Sequence, residues 1–310
     1  MRPVSTRVRV SALGAFTALS TVMAMGTATA QTQLNGVWGS FTRCPVDHPT
    51  MLAADGMTDT ALCVSSHSAS GVIKLGNTTV PTGASDLQIG VVTHPDGGST
   101  LVSPAGGALV ADSATLPGGL LGLMCPSNVP VVSGVCKSIT NATLNKVTAT
   151  IESVNSPSDF QLLAGTTTGE PIVTLPVRIH LQNPLLGDKC YIGSAAKPIV
   201  LKPQNVTQPE ASTEAFDANG TSNPDGVMGR INLTGANQGD STFTVPGASG
   251  CGAGLLDWAV NLKTGLPAAS GKNSVALNGA STYVATINDP STVAPDQGKA
   301  LAQYWHSAVK

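Results

Sequence analysis

The clearest pattern in the chain is the alternation of apolar and polar residues in IVTLPVRIHLQ, residues 172–182. Its apolar members fall on every second position, and they are Val173, Leu175, Val177, Ile179 and Leu181. A period of two predicts a β-strand with one face buried and the other in water. Because Pro176 has no backbone N–H to donate, we expect this strand to lie at a sheet edge or to carry a bulge.

Shorter apolar runs predict further strands, which are separated by clusters of turn-forming residues such as HPDGG and NPDG. The predicted strands cover residues 72–75, 87–92, 146–154, 199–201, 230–233, 242–245 and 282–287. Short strands joined by turns, with no long helical pattern among them, are typical of antiparallel sheets. We therefore predict an all-β fold of the antiparallel β-sandwich type.

One helical pattern stands out near the end of the chain, after Asp296. Its apolar residues follow the i, i+3, i+4, i+7, i+8 spacing, and they are Leu301, Tyr304, Trp305, Ala308 and Val309. This spacing predicts one short C-terminal helix with a single apolar face. Two interpretations are open: the helix packs on the sandwich, or it presents Tyr304 and Trp305 to a partner.

The first 30 residues have the pattern of a secretory signal peptide. Arg2, Arg7 and Arg9 precede an apolar run at about residues 10–25, and the small residues Ala28 and Ala30 form a cleavage site. We expect Sec-type export, cleavage after Ala30 and a secreted, extracellular mature chain. No later apolar run reaches the roughly 18 residues that span a bilayer, so we expect no transmembrane segment after cleavage.

Composition narrows the class of partner. Charged residues make up 11% of the chain and apolar residues 41%. The expected mature chain has 13 basic residues, because the three arginines leave with the signal peptide, and 18 acidic residues, a net charge of −5. This mild negative charge argues against nucleic acid and against anionic membrane surfaces as partners. A cell-envelope component or an apolar small molecule is compatible with it.

Six cysteines follow the predicted signal peptide, at positions 44, 63, 125, 136, 190 and 251. An even number in an exported chain predicts three disulfides, and six cysteines allow 15 pairings. Short loops favour Cys44–Cys63, Cys125–Cys136 and Cys190–Cys251, and the other pairings stay open at this point. A turn near residues 155–158 suggests a boundary between two β regions. The first covers residues 31–155 and contains two local disulfides, and the second covers residues 156–310. One continuous domain is the alternative.

Three motifs resemble a family of secreted proteins from high-GC Gram-positive (actinobacterial) bacteria. They are NPLLGDKCYIGS at residues 183–194, PGASGCG at 246–252 and GLPAASGKNSVALNG at 265–279. The resemblance covers about the last 150 residues, with looser matches at CPVDHPTML and LGNTTVPTG. The family consists of exported proteins without an assigned activity, so the resemblance implies export and no catalytic residues. Two of its motifs each contain one cysteine, which suits a Cys190–Cys251 bond.

PGASGCG also approaches G-x-S-x-G, the turn that presents a nucleophilic serine in hydrolases. The last position is Cys251 instead of glycine, and the only histidine after Ser249 is His306 in the predicted helix. No alternation of strands and helices surrounds the motif, although the residues after it could begin a helix. We therefore favour a glycine turn around a bonded cysteine, with Ser249 as a nucleophile as the alternative.

Neither a metal nor a cofactor is expected from the sequence. The five histidines are scattered, and none forms an H-E-x-x-H motif; His180 falls on the wet face of its strand. The loop FDANGTSNPDG, residues 216–226, offers oxygen ligands for calcium but departs from the EF-hand pattern at Ser222 and Met228. A turn-rich loop is the favoured interpretation, and an irregular calcium site is the alternative.

The segment LPGGLLGLM is the strongest functional indication in the sequence. It is uncharged and too short to span a bilayer, and its candidate contact residues are Leu116, Leu120, Leu121, Leu123 and Met124. We expect a buried hairpin beside the Cys125–Cys136 loop. The alternatives are a lining for an apolar ligand or an exposed contact surface.

These observations together predict a secreted, non-enzymatic structural or binding protein of the extracellular space or cell surface. Its recognition surface is expected in the loops near the cysteine pairs and in residues 116–124. An apolar-ligand carrier that uses the same segment is the first alternative, and an extracellular hydrolase of unfamiliar type is the second.

Overall fold

Two antiparallel sheets make up most of the computed structural model, which describes residues 33–125, 133–134, 136–137, 139 and 142–310. The predicted signal peptide lies outside these residues. Every strand pairing is antiparallel, the sheets face each other, and neither closes into a barrel. The predicted all-β, sandwich-type fold is confirmed.

The larger sheet has ten strands in the described residues, and six of them follow the order β12-β14-β16-β1-β4-β5. The other four lie beside this path: β13 pairs with β14, β6 pairs with β4, β2 pairs with β16, and β3 pairs with β2. Their bounds are β1 Thr60–Ser68, β2 Ser70–Leu75, β3 Thr78–Thr82, β4 Ser85–Thr93, β5 Ser99–Val102, β6 Leu109–Ala111, β12 Gln204–Asn205, β13 Glu210–Phe216, β14 Met228–Asp240 and β16 Ser274–Ile287.

The smaller sheet has six strands in the described part of the chain, in the order β15-β10-β9-β8-β7, with β11 beside β9. Their bounds are β7 Ala114–Thr115, β8 Thr148–Ser153, β9 Leu175–Asn183, β10 Gly187–Ile192, β11 Ile199–Leu201 and β15 Ala248–Ser249. Both sheets contain strands from either side of residue 155, so the sequence regions before and after it share their hydrogen-bond ladders.

Helices cover the ends and one face of the sandwich. They are α1 Pro49–Leu52, α2 Gly119–Met124, α3 Ala142–Asn145, α4 Asp257–Thr264 and α5 Gln297–Ser307, and 3₁₀ segments occur at Gly36–Phe41, Leu163–Thr166 and Pro290–Val293. No helix within the described residues is long and apolar enough to cross a membrane.

Strand β1 is buried on both faces, which makes it the centre of the fold. Cys63 faces a cluster formed by the N-terminal 3₁₀ segment and α5, where Phe41 and Trp305 are also buried. Leu62 and Val64 face the opposite cluster, on the side of the smaller sheet. Because both faces are apolar, β1 shows no alternation, and the sequence pattern did not predict it.

The alternating segment forms β9, but the prediction that it lies at a sheet edge is wrong. β9 is central, with β8 on one side and β10 and β11 on the other. Pro176 is tolerated because the ladder with β8 ends there: Ser153 is the last partner on β8, and the N–H of Val154 donates to the oxygen of Pro176. The missing N–H of Pro176 therefore falls where the ladder requires no donor.

The remaining element predictions mostly hold. Strands form at six of the seven shorter runs, although β14 and β16 extend well beyond the predicted residues. Residues 242–245 are the exception, because only Val245 pairs, through an isolated bridge to Ala268.

The C-terminal helix is confirmed as α5. It packs on the sandwich: Trp305 is buried, and its indole N–H donates to the backbone oxygen of Phe41 at 2.8 Å.

The three favoured disulfide pairings are confirmed, namely Cys44–Cys63, Cys125–Cys136 and Cys190–Cys251. The first joins the N-terminal segment to β1. The third joins β10 to the turn that precedes α4. These two bridges therefore each connect a sheet to a segment with little regular structure of its own, whereas Cys125–Cys136 joins the end of α2 to the segment after it.

Candidate functional site: the helical end of the sandwich

The segment of residues 116–124 forms a helix, so the predicted hairpin is wrong although its burial is correct. Leu120, Leu123 and Met124 are buried at i, i+3 and i+4, while Leu121 points outward and is 38% exposed. The helix begins at Gly119, whose φ is 56° and where a Cβ atom would lie 2.0 Å from the oxygen of Asn145. Only glycine fits this approach of α2 to α3.

Side-chain amides fix α2 and α3 in place. The Oδ1 atom of Asn145 accepts the N–H of Leu121 at 2.9 Å, which joins the two helices. The Nδ2 group of Asn183, at the end of β9, donates to the backbone oxygens of Leu144 and Lys146 at 2.8 Å each. The smaller sheet therefore holds α3 directly and α2 through it.

The turn PGASGCG anchors α4 to the same sheet. The N–H of Gly252 donates to the oxygen of Leu186 at 2.7 Å, in the turn between β9 and β10. The Asp257 carboxylate accepts the N–H of Cys251 at 2.7 Å. Together with the Cys190–Cys251 bond, these contacts fix the start of α4. We call α2, α3, the turn at residues 184–186 and α4 the helical end.

The inner face of α4 is held as firmly as its start. Ala259 and Val260 are buried in the core between the sheets. The Asn261 side chain accepts the N–H of Ala248 at 2.6 Å and donates to the oxygen of the same residue at 3.0 Å. The helix is therefore bonded along one side to the edge strand β15.

Three large apolar side chains lie in water on α4 and on the turn just before it. Leu255, in the turn, is 69% exposed, and Trp258 and Leu262, on the helix, are 39% and 74% exposed. We call these three residues the apolar patch; α2, which presents Leu121, contacts α4. The sequence did not reveal the patch, because α4 has only eight residues and Leu255 lies outside it.

Part of the predicted apolar segment lines a small cavity between the sheets. Leu116 and Leu123 face a space of about 20 Å³ beneath the hairpin of β2 and β3. That volume holds about one water molecule. The hydroxyl of Thr82 also borders it and has no hydrogen-bond partner within the described residues. The other apolar members of the lining include Ile73, Leu75, Val80, Ile151, Ile179 and Leu181.

The outward face of the smaller sheet carries a charged and aromatic row. Arg178 pairs with Glu152 at 2.8 Å and lies 4.1 Å from the ring centroid of Tyr191. His180 stacks on Tyr191 at 4.4 Å between centroids. His180 points outward as predicted, but its side chain is only 12% exposed because these neighbours cover it.

Ser249 does not meet a histidine in this arrangement. Tyr191 lies between Ser249 on β15 and His180 on β9, because it pairs with each of them in the register of the sheet. The His180 Nδ1 atom lies 3.2 Å from Glu152, and its Nε2 atom lies 3.0 Å from the oxygen of Asp188. His306 is on α5, 2.8 Å from Asp47. PGASGCG is thus a turn around a bonded cysteine.

The acidic loop at residues 216–226 satisfies its oxygen atoms locally. The Asp217 carboxylate accepts from the side-chain amide of Asn223 at 2.8 Å. The Oδ1 atoms of Asn219 and Asn223 accept backbone N–H groups within the same loop. Within the described residues, no group of three or more histidine, cysteine or acidic side chains is arranged to hold a metal ion.

The two predicted contact residues of the C-terminal helix belong to its packing surface. Trp305 is 8% exposed within the apolar cluster, and Tyr304 packs against that cluster while half-buried. Of the predicted contact residues, Leu121 is therefore the one that is open to solvent.

Comparison with protein-family models, curated proteins and solved structures finds no match to this chain. The resemblance to a family of secreted actinobacterial proteins therefore stays a prediction.

Proposed function

We propose that the chain is a secreted, non-enzymatic binding protein that attaches to the cell envelope through the apolar patch. The signal-peptide pattern of residues 1–30 and the three disulfides support export, because disulfides persist in oxidising compartments. The resemblance to exported actinobacterial proteins is consistent with the same destination.

The exposure of Trp258 and Leu262 on a firmly held helix, and of Leu255 in the turn before it, carries this proposal. Clustered apolar side chains in water mark contact sites, and tryptophan is enriched at the centres of such sites. The helix is fixed by the Cys190–Cys251 bond and by Asn261, so little conformational entropy is lost when a partner binds. A patch that is rigid before binding suits recognition better than a loose apolar segment.

The charges near the patch suit an envelope surface. Residues 246–273 contain Lys263, Lys272 and a single acid, Asp257, whose carboxylate is bonded to the N–H of Cys251. The net charge of the mature chain disfavours an anionic surface, but this segment has two basic residues against one acid, so the patch itself is suited to anionic lipid head groups. Apolar insertion with a flanking lysine is the pattern of peripheral attachment.

Fractionation of cells that express the full chain tests the proposal. We expect the wild-type protein in the envelope fraction, and a triple variant, Leu255→Ser with Trp258→Ser and Leu262→Ser, mostly in the medium. The matched control is Met57→Ser with Leu163→Ser and Val206→Ser, which removes side chains that are 70%, 79% and 62% exposed elsewhere. Equal distribution of the wild type and the patch variant, at equal stability, would refute the proposal.

A second candidate function, the carriage of an apolar ligand, is supported by the position of Leu116 and Leu123 in the inter-sheet cavity. At about 20 Å³ the cavity accommodates no ligand larger than a water molecule, so carriage requires the β2–β3 hairpin to move away from the smaller sheet. The native mass of protein purified from its culture medium tests this function. An added mass that leaves on denaturation supports a carrier, and the bare mass of the oxidised chain contradicts it.

A further inference from the structure

An open groove runs along the helical end beside the turn between β9 and β10. Its volume is about 550 Å³, within the range of ligand sites, whereas the inter-sheet cavity has about 20 Å³. The groove is lined by Thr143, Lys146, Thr148, Gln182, Asn183, Pro184, Gly187 and Asp188. None of these residues belongs to the apolar patch.

Three polar side-chain groups in the groove have no hydrogen-bonding partner within the described residues. The ammonium of Lys146, the carboxylate of Asp188 and the side-chain N–H₂ of Gln182 have no bonding partner among the described residues, and all three side chains are exposed. Gln182 also receives a long hydrogen bond from Thr148, at 3.4 Å, on its oxygen. The groove therefore offers both hydrogen-bond donors and acceptors to a ligand.

The walls of the groove are formed before any ligand arrives. Asn183 fixes the turn, because its amide donates to Leu144 and Lys146 while its oxygen accepts the N–H of Leu185 at 2.8 Å. Gly187 has a φ of 76°, and nothing lies within 4 Å of the place where a Cβ would be, so its backbone is open to a ligand. Such preorganisation lowers the entropic cost of binding.

The mixture of groups selects one class of ligand. A phosphate or sulfate would meet the carboxylate of Asp188, and a divalent cation would find only that one carboxylate. An acyl chain would find few apolar side chains beyond Pro184. Each hydroxyl of a polyhydroxylated ring both donates and accepts hydrogen bonds, and the ring also has C–H surface for a proline ring.

We propose that this groove binds a neutral saccharide, with Lys146, Gln182 and Asp188 as its hydrogen-bonding residues. The row on the smaller sheet adjoins it, because His180 contacts the backbone oxygen of Asp188. The inference goes beyond the proposed function, since it concerns a different set of side chains and a different chemistry.

Calorimetric titration of residues 31–310 with three neutral probes tests the inference: maltotetraose, cellotetraose and tetra-N-acetylchitotetraose. We expect at least one to bind with a Kd of about 1 mM or below. Asp188→Ala and Lys146→Ala each weaken that binding about tenfold, because a hydrogen bond to a charged group is lost. Gln182→Ala weakens it about fivefold.

The matched controls are Lys74→Ala and Asp225→Ala, which remove exposed charges outside the groove and leave the Kd unchanged. The triple patch variant also binds the probe like the wild type, so failure of the envelope proposal is distinguishable from failure of this one. Absence of binding to all three probes overturns the inference, and so does a wild-type Kd in Asp188→Ala. Binding of inorganic phosphate at the groove in place of the probes likewise overturns it.

Discussion

Single polar side chains fix the conformation of irregular segments in this protein by hydrogen bonds to backbone N–H groups, and Asp55 is an example. Its Oδ1 atom accepts the backbone N–H groups of Met57, Thr58 and Asp59, at 2.7, 2.7 and 3.0 Å. These bonds, first among them that from Thr58, hold the pKa of Asp55 well below its usual range, since each one favours the ionised form. One carboxylate thereby fixes the turn that leads into β1.

The first prediction concerns this carboxylate. Because the pKa of Asp55 is lower in the folded than in the unfolded state, its ionised carboxylate stabilises the fold. This stabilisation is fully present at pH values above the unfolded pKa of about 3.9, and it is lost as the pH falls below that value toward the folded pKa. We expect Asp55→Asn to lower the Tm most at neutral pH, with the difference from wild type shrinking below about pH 4. Thermal unfolding between pH 2.5 and 7 measures this. Asp225→Asn, on an exposed loop, serves as the control, and a difference that is constant across the range contradicts the prediction.

At the scale of elements, sequence patterns identified the half-buried β9 and α5 but missed β1, which is buried on both sides. Alternation revealed β9, and helical spacing revealed α5, because each has one wet face. β1 has no wet face, so no period marks it. The partner strands of β9 decide whether Pro176 lies at an edge, and those partners come from distant segments that no local pattern contains.

Two tryptophans on helices provide the second prediction. Trp305 on α5 is buried and bonded to Phe41, whereas Trp258 on α4 is 39% exposed and lies on the apolar patch. We expect Trp305→Ala to lower the free energy of unfolding by about 3–5 kcal/mol, because it leaves a cavity and removes one of the two hydrogen bonds to the oxygen of Phe41. We expect Trp258→Ala to lower it by less than about 1 kcal/mol.

Urea unfolding of both variants, followed by circular dichroism, measures these changes. Equal losses of stability would mean that Trp258 is part of the core and not of a contact surface. Retained stability in Trp305→Ala would reopen the interpretation of α5 as a docking helix.

On the scale of the whole molecule, the Cys190–Cys251 bond, the helix contacts and the strand pairing together bring the residues of the candidate sites to the helical end. The sequence indicated residues 116–124 and the loops near the cysteine pairs. Residues 119–124 and the turn at Cys251 lie at the helical end, whereas Cys44–Cys63 lies in the cluster beside α5. The sequence could not indicate which of the large apolar side chains in residues 116–124 faces outward. That side chain is Leu121, and its orientation depends on the contacts of Asn145 and Gly119 that fix the helix. The groove was equally hidden, since Lys146, Gln182 and Asp188 are brought together by the pairing of β8, β9 and β10.

The third prediction compares two bridges. In the chain-entropy account, stabilisation grows with the loop that a disulfide closes, and the loops here are 61 residues for Cys190–Cys251 and 19 for Cys44–Cys63. We expect the Cys190→Ser, Cys251→Ser pair to lower the free energy of unfolding by about 4 kcal/mol, against about 3 kcal/mol for Cys44→Ser with Cys63→Ser. Denaturant titration without reductant measures both.

Of the two double variants, we expect only Cys190→Ser with Cys251→Ser to reduce retention in the envelope fraction as well, because the Cys190–Cys251 bridge fixes the start of α4. Retention equal to that of the wild type in a folded Cys190→Ser, Cys251→Ser variant would show that the patch does not depend on this anchor.

The position of β1 between β4 and β16 has a consequence for synthesis. Cys63 on β1 faces Ala285 on β16, 222 residues further along the chain. Until residues 274–287 have emerged, β1 lacks one of its two neighbours, and the central sheet cannot close. A partly synthesised chain is therefore unable to complete its fold. Pairing over such distances also makes folding slow, because distant segments must meet before β1 is paired on both sides.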